Sequence, residues 1–87
     1  MRAVAIVLMS ALFPTASLAA FPCDELWAER NAVYKDAGYC FKTPRAIRAF
    51  GNAGCRYDDV ADLPLSARDR AKVAEIVEQE RQNRCPR

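Results

Sequence analysis

The 87-residue chain has no histidine, only three glycines and one tryptophan, and no apolar stretch long enough to span a bilayer. Each shortage excludes something. Without histidine, neither a Ser-His nor a Cys-His nucleophile can be assembled. Beyond residue 20 the only hydroxyls besides those of tyrosine belong to Thr43 and Ser66, and both stand where helix caps belong. The longest apolar run, Ala3 to Phe13, covers 11 residues, whereas a membrane-crossing helix needs ~20. Successive cysteines are separated by 16, 14 and 29 residues, so the close pairs typical of structural zinc sites and thioredoxin-type redox centres are missing. Excess charge is lacking too. With a net charge of +2, nothing marks a nucleic-acid binder. The glycine-containing segment Gly51-Asn52-Ala53-Gly54 lacks the preceding strand and following lysine of a phosphate loop and reads as a turn.

What is present begins with a leader. Arg2, the apolar run, Pro14 and the small-residue end Ser17-Leu18-Ala19-Ala20 have the layout of a secretory signal peptide over residues 1–20. Cleavage after Ala19 or Ala20 would leave a domain of residues 21–87 in the periplasm or outside the cell. A lipid anchor is not expected, because Cys23 follows Pro22 rather than a small residue. The remaining domain has room for one small core. At that size apolar burial roughly cancels an ordering cost of ~1.5 kcal/mol per residue. Cys23, Cys40, Cys55 and Cys85 offer the missing constraint as two disulfides, each contributing ~2–4 kcal/mol.

The rest of the sequence predicts an all-α fold, a small three-helix domain with an ordered loop between helices two and three. Asp24 to Ala37 form the first helix, with Leu26, Val33 and Ala37 on one side, acidic residues in the first turn and Gly38 just past the end. Thr43-Pro44 opens a short second helix to about Phe50, as N-cap and first helical residue. Asn52 to Pro64 shows no period and reads as a loop tied down by Tyr57, Val60 and Leu63. Ser66 and Asp69 form a capping-box variant opening a third helix to about Gln82. Its buried stripe is Val73, Ile76 and Val77, and Arg68, Lys72, Glu75, Gln79 and Gln82 face water.

Helix geometry restricts the cysteine pairing. A first helix of about 14 residues spans ~20 Å, whereas a disulfide tolerates Cα separations of only ~7 Å, which excludes Cys23 with Cys40. Two patterns stay open, Cys23 with Cys85 and Cys40 with Cys55, or the crossed arrangement. The first is preferred because it joins the chain ends and sets the long helices antiparallel.

Lys42, Arg45, Arg48 and Arg56 run without an intervening acid and are followed by Asp58, Asp59 and Asp62. That pattern reads as a solvated face with local ion pairs. The carboxylate pairs Glu25/Glu29 and Asp58/Asp59 are formal acid/base candidates, but a core this small leaves little cleft for a glycosidase. No catalytic residue, metal or cofactor is expected.

Arg30-Asn31-x-x-Tyr34, followed by Lys35-Asp36-Ala37-Gly38-Tyr39-x-Phe41, resembles the YARHG domain family. The likeness continues through Phe50, Tyr57 and Leu65-Ser66. Tyr34 and Gly38 keep the eponymous motif, and Lys35, Asp36 and Ala37 replace its alanine, arginine and histidine. The resemblance implies a presumed extracellular bacterial domain with no assigned activity. Arg30 and Asn31 need hydrogen-bond partners if buried, with loop carbonyls near Tyr39 or Tyr57 as candidates. The functional surface expected is aromatic and cationic, built from Trp27, Arg30, Tyr34, Tyr39, Arg45, Arg48 and Tyr57. These features predict an exported non-catalytic module for a cell-envelope glycan or a protein partner, or alternatively a small secreted inhibitor or effector.

Overall fold

A computed structural model describes the backbone of residues 13–86 and the side chains of residues 22–86. The basic start and most of the apolar run assigned to the leader, residues 1–12, lie outside the described residues. Among the described residues there are three helices: α1 (Phe13–Asp36), α2 (Pro44–Phe50) and α3 (Ala67–Gln82). A 3-10 turn, Val60–Asp62, interrupts the connection between α2 and α3. Among the described residues there is no strand, only an isolated parallel bridge between Tyr39 and Tyr57.

Both disulfides follow the preferred pairing. Cys23 bonds Cys85 across 62 positions of sequence, and Cys40 bonds Cys55 across 15, with Cα separations of 5.4 and 5.1 Å. The first joins α1 to the chain just past α3, setting the two long helices antiparallel, and its Cys85 packs with Leu26 and Ile76 as one small core. A second core of Tyr34, Phe41, Ala46 and Leu63 fills the angle between α1, α2 and the loop. With all four sulfurs bonded, none is free to bind zinc as thiolate.

Caps explain where α2 and α3 begin. Thr43 Oγ1 accepts from the Ala46 N–H at 3.2 Å, and Ser66 Oγ accepts from the Asp69 N–H at 3.0 Å. Each satisfies one of the amides that a helix start leaves without an internal partner. The expected start of helix one is corrected. α1 continues backward through Pro22 to Phe13, so Asp24 and Glu25 are not in its first turn. Alanines at positions 16, 19 and 20 have high helix propensity, and Pro22 forfeits one backbone hydrogen bond without ending the helix.

The loop is ordered, as expected, but its anchors differ. Leu63 is buried and Tyr57 half-buried, whereas Val60 is 37% exposed. Asp59 caps the 3-10 turn through the Ala61 N–H, and that tight turn rotates Val60 away from the core. Asn52 supplies an anchor in its place. Its Oδ1 accepts from the Phe41 N–H at 2.7 Å and its Nδ2 donates to the Phe41 carbonyl at 3.0 Å. Along α3, Ile76 is buried and Val73 and Val77 are half-buried, with Glu80 completing the inward stripe.

Candidate functional site

Trp27, Arg30, Asn31 and Tyr34 recur at intervals of three and four along α1 and therefore share one face. The chain must reverse for anything to stand opposite them. Gly38 makes that possible with φ +98°, a conformation that side-chain-bearing residues rarely adopt. Its carbonyl accepts from the N–H groups of both Arg56 and Tyr57, at 2.7 and 3.0 Å. A Cβ there would come within 3.3 Å of the Tyr57 ring. The retained motif residues thus have a structural reason: Tyr34 fills the core, and Gly38 permits the reversal.

The reversal brings Tyr39, Phe41 and Lys42 across from the α1 face, α2 adds Arg45, and Val60 and Pro86 close the edges. Together they enclose a cleft of about 440 Å³. Its aromatic residues are held in a run of ring contacts completed by Phe50 outside the lining. Tyr34 meets Tyr39 edge-on at 6.0 Å, Tyr39 meets Phe41 at 5.1 Å, Phe41 stacks on Phe50 at 5.3 Å, and Phe50 reaches Trp27 at 6.0 Å. Such pairs fix each ring against the next. The aromatic surface is consequently built in advance.

Charge on the lining has one sign. Among the described residues, Arg30, Lys42 and Arg45 line the cleft and no carboxylate side chain does, although each cation has an acidic partner outside the lining. Arg30 donates from Nε and Nη2 to the two carboxylate oxygens of Glu80, at 2.9 and 3.1 Å, with side-chain exposures of 14% and 1%. Burial disfavours the charged guanidinium, but the hydrogen-bonded Glu80 carboxylate outweighs it and Tyr34 adds to the effect, so the Arg30 pKa is raised above the ordinary arginine value. Arg30 stays a cation. Arg45 places its guanidinium carbon 3.8 Å from the Trp27 ring centroid and pairs with Asp24 at 3.2 Å. Lys42 pairs with Asp58 at 3.1 Å and lies 5.8 Å from the Tyr39 centroid.

The structure therefore brings together Trp27, Arg30, Tyr34, Tyr39 and Arg45 of the surface expected from sequence. It leaves out two. Arg48 is exposed on α2 away from the cleft, and Tyr57 packs against the core under Gly38. The expected loop partners for Arg30 and Asn31 are also corrected: Arg30 bonds Glu80, and Asn31 Nδ2 donates to the Trp27 carbonyl within α1 at 2.9 Å. Sequence alone gives Glu80 no role, because its partner is 50 positions away. The readable signal was its spacing, four residues beyond Ile76 on the buried stripe. Phe41 and Lys42 enter through the turn geometry, which no periodic pattern encodes.

Compared with known protein families, the chain matches the YARHG domain over residues 3–81. The match begins within the stretch read from sequence as a leader. No curated protein and no solved structure matches the chain.

Proposed function

The chain belongs to the YARHG domain family, and from that premise we propose that it is an exported, non-catalytic module that binds a component of the bacterial cell envelope through the cleft. The two disulfides and the family are consistent with an extracellular location, and no helix among the described residues is long and apolar enough to cross a membrane. The observation that carries the reading is the lining itself: preformed aromatic surface and three cations, with no carboxylate side chain among the described lining residues. Small-ligand sites have this make-up, a mainly apolar concavity with a few placed polar groups.

The same lining supports the absence of catalysis. Thr43 and Ser66 have their hydroxyls engaged as caps. Glu80 is locked by Arg30, Asp58 and Asp59 hold Lys42 and a turn amide, and Glu25 and Glu29 are exposed outside the lining. Among the described residues, no acid/base pair lines the cleft. The inhibitor reading calls for a loop that projects. Here the Asn52–Asp62 segment is laid against the core by the Cys40–Cys55 bond, the Asn52 clamp and the Gly38 carbonyl, which favours the cleft.

Retention of the purified protein on isolated bacterial envelopes, compared with a Trp27→Ala, Arg45→Gln variant of equal helicity, tests the reading. Retention that depends on the cleft is expected. Equal retention of parent and variant, or none by either, overturns it. Export is tested separately by sequencing the N-terminus of protein recovered from the periplasm, where a start at Ala20 or Phe21 is expected.

A further inference from the structure

Resting on the cleft-binding reading, we propose that the ligand recognised is an acidic N-acetylated sugar, its carboxylate held by Lys42 and Arg45 and its acetamido group by Asn31. Three observations converge on that class.

The first is charge. The two rim cations are paired to Asp58 and Asp24 by single contacts, and all four side chains are at least half exposed. Exposed pairs of this kind contribute only ~0–1 kcal/mol, so a ligand carboxylate can displace Asp58 or Asp24 at little cost. Arg30 is different in kind. Its buried fork to Glu80 keeps it in place and compensates its charge, so it shapes the wall and leaves carboxylate binding to the other two.

The second is Asn31. Its residue is 6% exposed and lines the cleft, yet only Nδ2 has a hydrogen-bond partner among the described residues, the Trp27 carbonyl. No fully buried side-chain polar atom lacks a partner, so the free Oδ1 acceptor is reachable. Nδ2 retains a second N–H. An amide with one open donor and one open acceptor matches another amide, and an acetamido group supplies both.

The third is what the cleft withholds. Peptide recognition commonly uses an open strand edge or a nest of backbone N–H groups. The N–H groups of the lining residues Tyr39 and Phe41, and of Cys40 between them, are taken by Tyr34, Asn52 and Tyr57 respectively. Beyond Phe41 the N–H groups of Lys42 and Thr43 have no partner among the described residues, so that wall offers an extended peptide a short pair of donors rather than a continuous edge. A sugar does not need one, because its ring face packs on aromatic surface and its substituents meet side chains.

Trp27 is the only tryptophan and lines the cleft, so its fluorescence reports occupancy directly. The experiment titrates the oxidised protein with N-acetylmuramic acid, with N-acetylglucosamine, which lacks the carboxylate-bearing ether, with muramic acid, which lacks the acetyl group, and with a glutamate oligomer as charge control. A saturable change with N-acetylmuramic acid is expected, about tenfold or more weaker without the carboxylate, as loss of one charged hydrogen-bond contact requires. Lys42→Gln and Arg45→Gln should weaken it several-fold, and Arg48→Gln, outside the cleft, should not. The acetyl comparison is made on the parent protein, since Asn31→Ala removes a buried hydrogen bond and can disturb α1. Equal affinity for acidic and neutral sugars, equal affinity for the glutamate oligomer, indifference to the acetyl group, or no response to any sugar overturns the proposal. Cleft-dependent envelope retention alongside any of those results leaves the broader reading standing and removes only the ligand class.

Discussion

Glu80 retains 1% of its side-chain exposure, and a carboxylate removed so far from water is tolerable only with a well-matched partner. Arg30 supplies one by donating two parallel hydrogen bonds, the geometry in which a guanidinium most exceeds an ammonium. Removing one member strands the other. Glu80→Ala or Arg30→Met is expected to lower unfolding free energy by ~3–5 kcal/mol, whereas the double variant Arg30→Met, Glu80→Leu should lose far less, because no uncompensated charge remains. Denaturant titration of the three variants checks this, and equal losses in single and double variants would refute it. Arg30 also sets a pH expectation. Its folded pKa is raised, so its contribution is fully present below the ordinary arginine value and is lost only as pH rises through the higher folded value. Raising the pH to ~10 should therefore leave the Arg30 contribution intact, which unfolding curves at neutral and alkaline pH for parent and Arg30→Met can establish.

α2 has seven residues, far fewer than the ~12–15 that an isolated helix needs to be even marginal in water. Its ends consequently decide whether it forms. Thr43 caps the start, Pro44 presets the first helical φ, and the Gly51 N–H closes the end on the Ile47 carbonyl at 2.8 Å. Thr43→Ala should reduce stability by ~1 kcal/mol and Thr43→Ser should restore most of it, as thermal or denaturant unfolding will show. The end of α1 depends on Gly38, where alanine would have to hold φ +98° and crowd Tyr57. A loss of ~1–3 kcal/mol is expected for Gly38→Ala, with changed tyrosine packing in the near-ultraviolet circular dichroism spectrum. Features of this local kind were readable in the sequence, because a cap, a proline at the first turn or a terminal glycine acts within four residues. The backward extension of α1 was not, since Pro22 ordinarily marks a helix start and here lies inside one. The Asn52 clamp was equally hidden. Asparagine between two glycines reads as a turn whether or not its side chain reaches Phe41.

On the scale of the molecule, two small cores are joined along α1, and each is stapled by one disulfide. Part of the pairing was accessible from sequence, because a helix is a ruler and no fold of α1 lets Cys23 reach Cys40; the choice between the two remaining patterns was a preference, which the Cys23–Cys85 and Cys40–Cys55 bonds bear out. The cleft was only half accessible: a helical face can be read off α1, but its opposite wall depends on where the Gly38 reversal and the loop return the chain. The two bridges should differ in effect. In the chain-entropy description, closing a loop of 62 positions stabilises by ~4.3 kcal/mol and one of 15 by ~3 kcal/mol. Changing Cys23 and Cys85 to alanine is therefore expected to lower the unfolding midpoint more than changing Cys40 and Cys55. It should also loosen the cleft, because Pro86 follows Cys85 directly and lines the edge. The shorter bridge works beside other restraints, since Asn52 and the Gly38 carbonyl hold the same loop. Guanidinium unfolding of the two double variants, with Trp27 fluorescence as the probe, distinguishes the cases. A larger loss from the Cys40–Cys55 pair would mean that loop order, not helix pairing, limits the stability of this domain.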